Sequence, residues 1–303
     1  MDAVPEPART EDWGAAFRLI FQYLPPEERE HRCVNALHLL QRGELNPQGL
    51  FLVRGAASPR GALLCLPVPG CTALLWPPGA VEDGATELED ALLRHARGWL
   101  RQRGVKLVQT LLAPEESFLA VPLLRNGFSA VTRLWYMRHQ LNLPVHHLNT
   151  PARLDYQAYD GDSAFQQTLL RTYENTLDCP EVNGVRSIDE VLEGHRAQGA
   201  YDPERWWLVR HGSEPVGVLM MTEMPESGDW ELAYMGVVPE ARRHGFGREM
   251  LLHALCEARA ADVPSVTLSV DARNHPAWNL YRSLGFEPYD QRVVYLAQLV
   301  SGA

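Results

Sequence analysis

Cysteine is scarce in this sequence, and its placement excludes more than it suggests. Cys33, Cys65, Cys71, Cys179 and Cys256 are odd in number, scattered, and never spaced as C-x-x-C. Neither a disulfide framework nor a zinc knuckle follows from such a set, and reduced thiols fit the cytosol. Long apolar runs are missing as well, which argues against a hydrophobic membrane-spanning helix. The opening Met1-Asp2-Ala3-Val4-Pro5-Glu6 lacks the basic and apolar regions of a secretory signal, so a cytoplasmic location without a membrane partner is expected. Positive charge is also in short supply. Lys and Arg number 28 against 38 Asp and Glu, a formal charge of −10, so nucleic acid is not an expected partner. A cationic or amine-bearing partner suits an acidic protein better.

Several motifs are absent too. No G-x-x-x-x-G-K-[ST] occurs, which excludes a Walker-type phosphate loop, and neither G-x-S-x-G nor H-E-x-x-H appears, which removes the simplest hydrolase and metalloprotease readings. The Rossmann fingerprint fails at Met250, which stands where its third glycine belongs, and Pro239 to His244 intervene where a tight turn is needed. No metal or redox cofactor is expected.

What is present is a globular composition, 46% hydrophobic and 22% charged, in a chain of 303 residues that suits two domains. An internal repeat supports that division. Subtracting 158 superimposes the last third of the chain on part of the first half without a gap: Leu251, His253 and Ala254 fall on Leu93, His95 and Ala96, and Gly285-Phe286 falls on Gly127-Phe128. Upstream the offset is 156, with Trp207-Leu208-Val209-Arg210 on Phe51-Leu52-Val53-Arg54. The two-residue change is expected in the loop near Met224 to Gly228, where it costs little. The expected domains are 1–148 and 149–303, with a linker at Leu141 to Pro151 that contains His146-His147.

In the second copy, strands are expected at Trp206–Arg210, Val216–Met221, Trp230–Val238 and Val266–Val270, with a last strand near Val293 to Leu296. Leu251, Leu255 and Ala258 recur at helical spacing, which predicts a helix from about Gly247 to Ala261, and Pro276 to Leu284 reads as a short helix stopped by Gly285. The segment Met235 to Arg248 therefore runs from a strand through a loop into a helix start. A helix start exposes unpaired N–H groups with partial positive charge, which suits a phosphate or pyrophosphate. Gly245 and Gly247 let a ligand approach the backbone, and Arg242, Arg243 and Arg248 add cationic charge.

The run Arg242-Arg243-His244-Gly245-Phe246-Gly247 resembles the R/Q-x-x-G-x-G/A signature of the GNAT superfamily of acyl-CoA-dependent N-acetyltransferases. A second run, Asn274 to Phe286, is similar to that superfamily's N-x-x-A-x-x-L-Y-x-x-x-G-F helix. Both occur in order, separated by a helix and a strand. The resemblance covers residues 150–303, and through the repeat it extends weakly to residues 12–140. It implies an α/β (α+β) chain of two tandem GNAT-like domains, each a mixed, mostly antiparallel central sheet flanked by helices, an arrangement similar to mycothiol synthase.

The implied co-substrate is acetyl-CoA, with its pyrophosphate on backbone N–H groups of Arg243, His244, Gly245, Phe246, Gly247 and Arg248. Its pantetheine arm would pair with the strand edge at Met235 to Val237, and Asn274 would lie near that arm. Tyr281 matches the tyrosine that protonates the departing thiolate, although a tyrosine in such a helix also serves as a packing residue. Glu231 stands where some members keep a general base, although exposed strand carboxylates are common. The loop from Tyr173 to Arg186 corresponds to the region that caps the acceptor groove. There Asp178, Glu181 and Asn183 are candidates to bind an amine, or parts of a solvated loop, while Cys179 has no identifiable histidine partner for nucleophilic work.

The first copy departs at each of these positions. Ala73 stands opposite Glu231, Glu87 and Glu89 opposite Gly245 and Gly247, Glu116 opposite Asn274, and Leu123 opposite Tyr281. Two added carboxylates would repel a phosphate, so only the second copy is expected to transfer an acetyl group to a primary amine of a small molecule or peptide. The alternatives are acetylation of a small aminothiol and an acyl-CoA sensor without turnover.

Overall fold

The structure, a computed structural model, describes residues 4–56, 58–141 and 153–299. The expected linker, apart from Leu141, and its pair His146-His147 lie outside the described residues. In chain order the first repeat holds β1 (Pro5–Pro7), α1 (Trp13–Ile20), α2 (Pro26–Gln41), β2 (Leu50–Arg54), β3 (Pro59–Val68), β4 (Thr72–Leu75), β5 (Gly79–Ala80), α3 (Ala85–Arg101), β6 (Leu107–Leu112), α4 (Ala120–Arg125) and β7 (Ser129–Gln140). The second holds β8 (Asp155–Ala158), α5 (Ser163–Thr172), α6 (Ile188–Arg196), β9 (Trp206–His211), β10 (Glu214–Met224), β11 (Asp229–Val237), α7 (Phe246–Ala260), β12 (Ser265–Asp271), α8 (His275–Ser283) and β13 (Glu287–Gln298). Apart from the extra short strand β5, the two copies carry the same elements in the same order. The last strand is longer than expected, because Glu287 to Gln298 stays extended through a polar first half.

Two compact units emerge, Met1–Val131 with Val293–Ala303, and Thr132–Arg292. They do not divide at 148/149, because strand pairing overrides chain order. In the second unit, the sheet runs β7, β12, β11, β10, β9, β8, antiparallel throughout except for the parallel pair β11/β12. In the first unit, β1, β2, β3, β4 and β6 repeat that pattern, with β4/β6 parallel, and Val293 to Gln298 of β13 pairs antiparallel with β6. The last strand of each repeat thus completes the sheet of the unit built from the other repeat.

The second unit buries both faces of its sheet. Met250, Leu251, Ala254, Leu255 and Ala258 of α7 pack with Trp230, Val266 and Leu268 on one side, while Phe165 and Leu169 of α5 and Leu192 of α6 cover Trp206, Leu208, Val218 and Met220 on the other. Each fully buried Leu, Met or Phe contributes about 1.5–3 kcal/mol, so these two layers hold the strands at fixed positions. Among the described residues no helix is long and apolar enough to cross a membrane.

Candidate functional site

The second unit has an opening in its own sheet. β10 pairs with β11 from Asp229 to Val237, but β12 pairs with β11 only at Trp230↔Val266 and Glu231↔Thr267. Beyond Glu231 the two parallel strands diverge. Val238 N–H donates to Val216 O at 3.0 Å, so alternation along the strand turns the N–H groups of Met235 and Val237 toward the opening. An extended ligand has a free strand edge to pair with there.

The connection after β11 leads to a helix start at the same end. Gly245 has φ +82 and supplies the left-handed turn into α7, with Arg243 also left-handed at φ +68. No side chain caps this helix, and Arg248 N–H and Glu249 N–H turn back to Gly245 O at 3.1 and 3.2 Å. The N–H groups of Phe246 and Gly247 therefore have no intrahelical acceptor, and the helix dipole makes them a site for an anion. A Cβ built on Gly247 would meet only Leu280 Cδ2 at 3.5 Å, so the absent side chain leaves room for a ligand rather than for packing.

The expected cationic surround is rearranged. Arg242 is spent on backbone carbonyls: it donates to Val237 O (3.0 Å), Thr172 O (3.0 Å), Glu174 O (2.7 Å) and Asn175 O (3.3 Å). Its role is to clamp the end of α5 and the following loop to the end of β11. Arg248 reaches Ser283 Oγ at 3.1 Å, while Arg243 and His244 are exposed. Phe246 is a buried packing residue, its ring beneath Arg153 and beside His211. Arg153, which sequence reading missed, donates to His244 O at 3.2 Å and to Glu249 at 3.1 Å, bringing another cation to the loop. Its partners lie more than ninety positions away, so no local pattern announces it.

Glu231 lies at the fork where β11 and β12 part, in a cavity of about 400 Å³ lined also by Tyr136, Arg138, Asp229, Thr267 and Tyr289. Burial raises its pKa above the ordinary carboxylate range, and among the described residues its carboxylate has no hydrogen-bond partner. Tyr136 and Arg138 come from β7, the strand that the sequence places in the first copy, and so were not anticipated.

At the other end of β12, Asp271 is fully buried and held by Arg273, Thr132 Oγ1 (2.6 Å) and Cys179 N–H (3.0 Å), which keep its pKa near 2. Arg273 bridges to Glu181 at 2.6 and 3.0 Å, so Glu181 fastens the loop instead of facing an acceptor. Asn183 likewise turns back to Tyr173 O at 3.4 Å. Asn274 caps α8 by accepting from Ala277 N–H (3.2 Å) and is hydrogen-bonded to Asp178. Enclosure by protein atoms, with repulsion from Asp271, lifts the Asp178 pKa to about 6. Tyr281 on α8 is 7% exposed beside Phe286, its pKa raised by burial and by Asp178, and no described residue hydrogen-bonds its hydroxyl. The thiol of Cys179 is pushed upward by burial and by both aspartates, which makes it a poor nucleophile at neutral pH.

Residues 170–286 match the model of the Acetyltransferase (GNAT) family. The mycothiol acetyltransferase of Thermobifida fusca (strain YX) is 28% identical over 294 residues, covering 83% of this chain and 88% of that relative. The mycothiol acetyltransferase of Mycolicibacterium smegmatis is 34% identical over 174 residues, 55% of this chain and 57% of the relative. Among solved structures, a GCN5-related N-acetyltransferase from Sphaerobacter thermophilus superimposes with a TM-score of 0.60 at 18% identity, over 99% of this chain and 96% of that one. A tandem GNAT protein from the clavulanic acid biosynthesis pathway gives 0.51 at 17% identity over 99% of each. The structural likenesses carry the tandem GNAT fold.

Proposed function

Because the chain has the tandem GNAT fold and its residues 170–286 match the Acetyltransferase (GNAT) family, we propose that its second unit moves an acetyl group from acetyl-CoA directly to a primary amine of a small molecule. The observation that carries this reading is the coincidence of an unpaired strand edge at Met235 and Val237 with an uncapped helix start at Phe246 and Gly247. A thioester bound along that edge has its carbonyl near N–H groups fixed where negative charge develops. The pyrophosphate end falls to the helix start.

An amine is mostly protonated at neutral pH and must lose a proton before it attacks. Glu231, half-buried and without a hydrogen-bond partner among the described residues, has its pKa shifted upward by burial, the direction that strengthens a carboxylate as a base. Tyr281, with a hydroxyl free of protein partners, returns a proton to the departing thiolate. Arg242, Arg243, His244, Arg248 and Asn274 frame the cofactor strand and helix rather than take part in proton transfer. The first unit is structural in this reading, and one coenzyme A binds per chain.

Thiol release from acetyl-CoA across a panel of amines tests the proposal. Tyr281→Phe should lower kcat by ~10²-fold with coenzyme A affinity nearly intact, and Glu231→Gln should lower the rate most at acidic pH. Tight coenzyme A binding with no thiol released from any amine would make the protein a sensor.

A further inference from the structure

Two opposite charges face one chamber of the second unit without meeting. Glu231 on β11, Thr267 on β12 and Arg138 on β7 stand in one register row, so all three share a face of the sheet. Two strand spacings put the backbones of Glu231 and Arg138 about 10 Å apart. They form no ion pair with each other.

Each is also left largely unsatisfied by the rest of the protein. Among the described residues the guanidinium of Arg138 makes no hydrogen bond; its Nε is buried without a partner, and its ionic neighbour is Asp229 at 3.9 Å. Asp229 accepts from Ser265 Oγ at 2.5 Å through Oδ1, and its Oδ2 stands at that longer distance from Arg138. The ring of Tyr289 lies 4.8 Å from the Arg138 guanidinium and holds it over the chamber, and Tyr136 lies beside Tyr289 with ring centroids 6.3 Å apart. The nearby charges Asp290 and Arg292 pair with each other at 2.8 Å, and Glu226 is exposed at the rim. The chamber thus offers, among the described residues, one carboxylate without a hydrogen-bond partner and one guanidinium whose only counter-ion is at 3.9 Å.

A guanidinium with no hydrogen bond and one long ion pair, beside a half-buried carboxylate without a hydrogen-bond partner, gains from a ligand that brings closer counter-charges to both. On the reading that this unit acetylates amines, we infer that its acceptor is an amine that also bears a carboxylate. The ammonium sits against Glu231, which must take its proton before attack, and the carboxylate docks on the planar fork of Arg138. A diamine would set its second cation against Arg138 and be repelled, and an amino compound without a carboxylate would leave the guanidinium with only its distant Asp229 partner. Arg138, carried by the exchanged strand, is thereby a specificity residue.

The experiment compares α- and ω-amino acids with their own carboxamides, which keep the skeleton and the amine but lose the charge. Thiol release gives kcat/KM, and calorimetry on the protein saturated with coenzyme A gives binding without need of turnover. The wild type should favour the acid by ~10²-fold in at least one pair, Arg138→Gln should collapse that ratio toward one, and Arg138→Lys should keep part of it. An equal loss with acid and amide in Arg138→Gln makes Arg138 merely structural and overturns the inference, as does turnover of amines with no preference for any acid. Preferential binding of acids without thiol release leaves the inference standing and removes the acetyltransferase reading instead.

Discussion

The two repeats share one order of strands and helices, yet the openings of their sheets differ in ways that, on the proposed function, suit only the second to a thioester. In the second unit the edge after Glu231 carries Met235-Gly236-Val237, with N–H groups aimed outward. The corresponding residues of the first unit, 158 positions earlier, are Pro77-Pro78-Gly79. Two prolines remove two N–H groups and break the strand into β4 and β5, so no continuous edge exists to pair with an extended ligand. The chemistry is gone as well. Ala73 and Leu123 are fully buried where Glu231 and Tyr281 stand, Glu89 is spent on Arg125 at 2.9 Å, and Glu116 accepts from Tyr23 at 3.0 Å. Residues 21–25 join α1 to α2 by a short turn, whereas residues 173–187 form the long loop pinned by Arg242 and Arg273. A fold can be copied whole while its function rests on a few backbone N–H groups and one loop.

The sharpest way to break the comparison is to place the first unit's proline in the second. Met235→Pro removes an outward N–H while sparing the ladder to β10, so acetyl transfer should fall by ~10²–10³-fold, with Met235→Leu as a packing control. Steady-state thiol release measures it, and activity within a few-fold of wild type would show that the strand edge plays no part.

Gly84 (φ +73) caps α3 as Gly245 (φ +82) caps α7, so the folded helix starts place Thr86, and not Glu89, opposite Gly247; Gly247→Glu nevertheless sets a carboxylate at the open helix start. Its Cβ is accommodated, so the fold should persist while coenzyme A affinity drops by ~10²-fold through lost space and added negative charge. Calorimetry reads it. The reverse change, Glu87→Gly with Glu89→Gly, should not raise the stoichiometry above one, because Pro77 and Pro78 remain; two sites per chain would refute that account.

Arg242→Gln loosens the loop that the first unit lacks. Four hydrogen bonds to carbonyls are lost, so the acceptor KM should rise by ~10-fold with a smaller change in coenzyme A affinity, alongside a lower Tm. Equal changes in both KM values would mean that the clamp serves the whole unit and not the acceptor side.

The smallest effect concerns Asp178, which has no partner position in the short turn of the first unit. Its pKa of about 6 in the fold lies above the ordinary carboxylate value, so the folded state binds the extra proton and loses stability as pH rises through 6. Asp178 is solvent-exposed, which screens this effect, so Asp178→Asn should raise Tm only slightly at pH 7 and leave it unchanged at pH 4. A difference that persists at pH 4 would place its origin in packing.

Much of this was legible in the chain itself. The spacing of Leu251, Leu255 and Ala258, the glycines Gly245 and Gly247 before a helix start and the repeat all depend on neighbours along the sequence, where side-chain periodicity and backbone sterics act directly. Hence α7, α8, the strand of Glu231 and Met235 and the glycine turn into α7 could be located beforehand. Other features depended on partners far away in sequence. The exchange of β7 and β13 between the units, the diversion of Arg242 to carbonyls of residues 172–175, the capture of Glu181 by Arg273 and the arrival of Tyr136 and Arg138 beside Glu231 each join segments tens to more than a hundred positions apart. A guanidinium can donate to a phosphate, a carbonyl or a carboxylate, so the residue type by itself does not fix which of them it meets. Only the folded geometry, which decides which acceptor lies within about 3 Å, makes that choice.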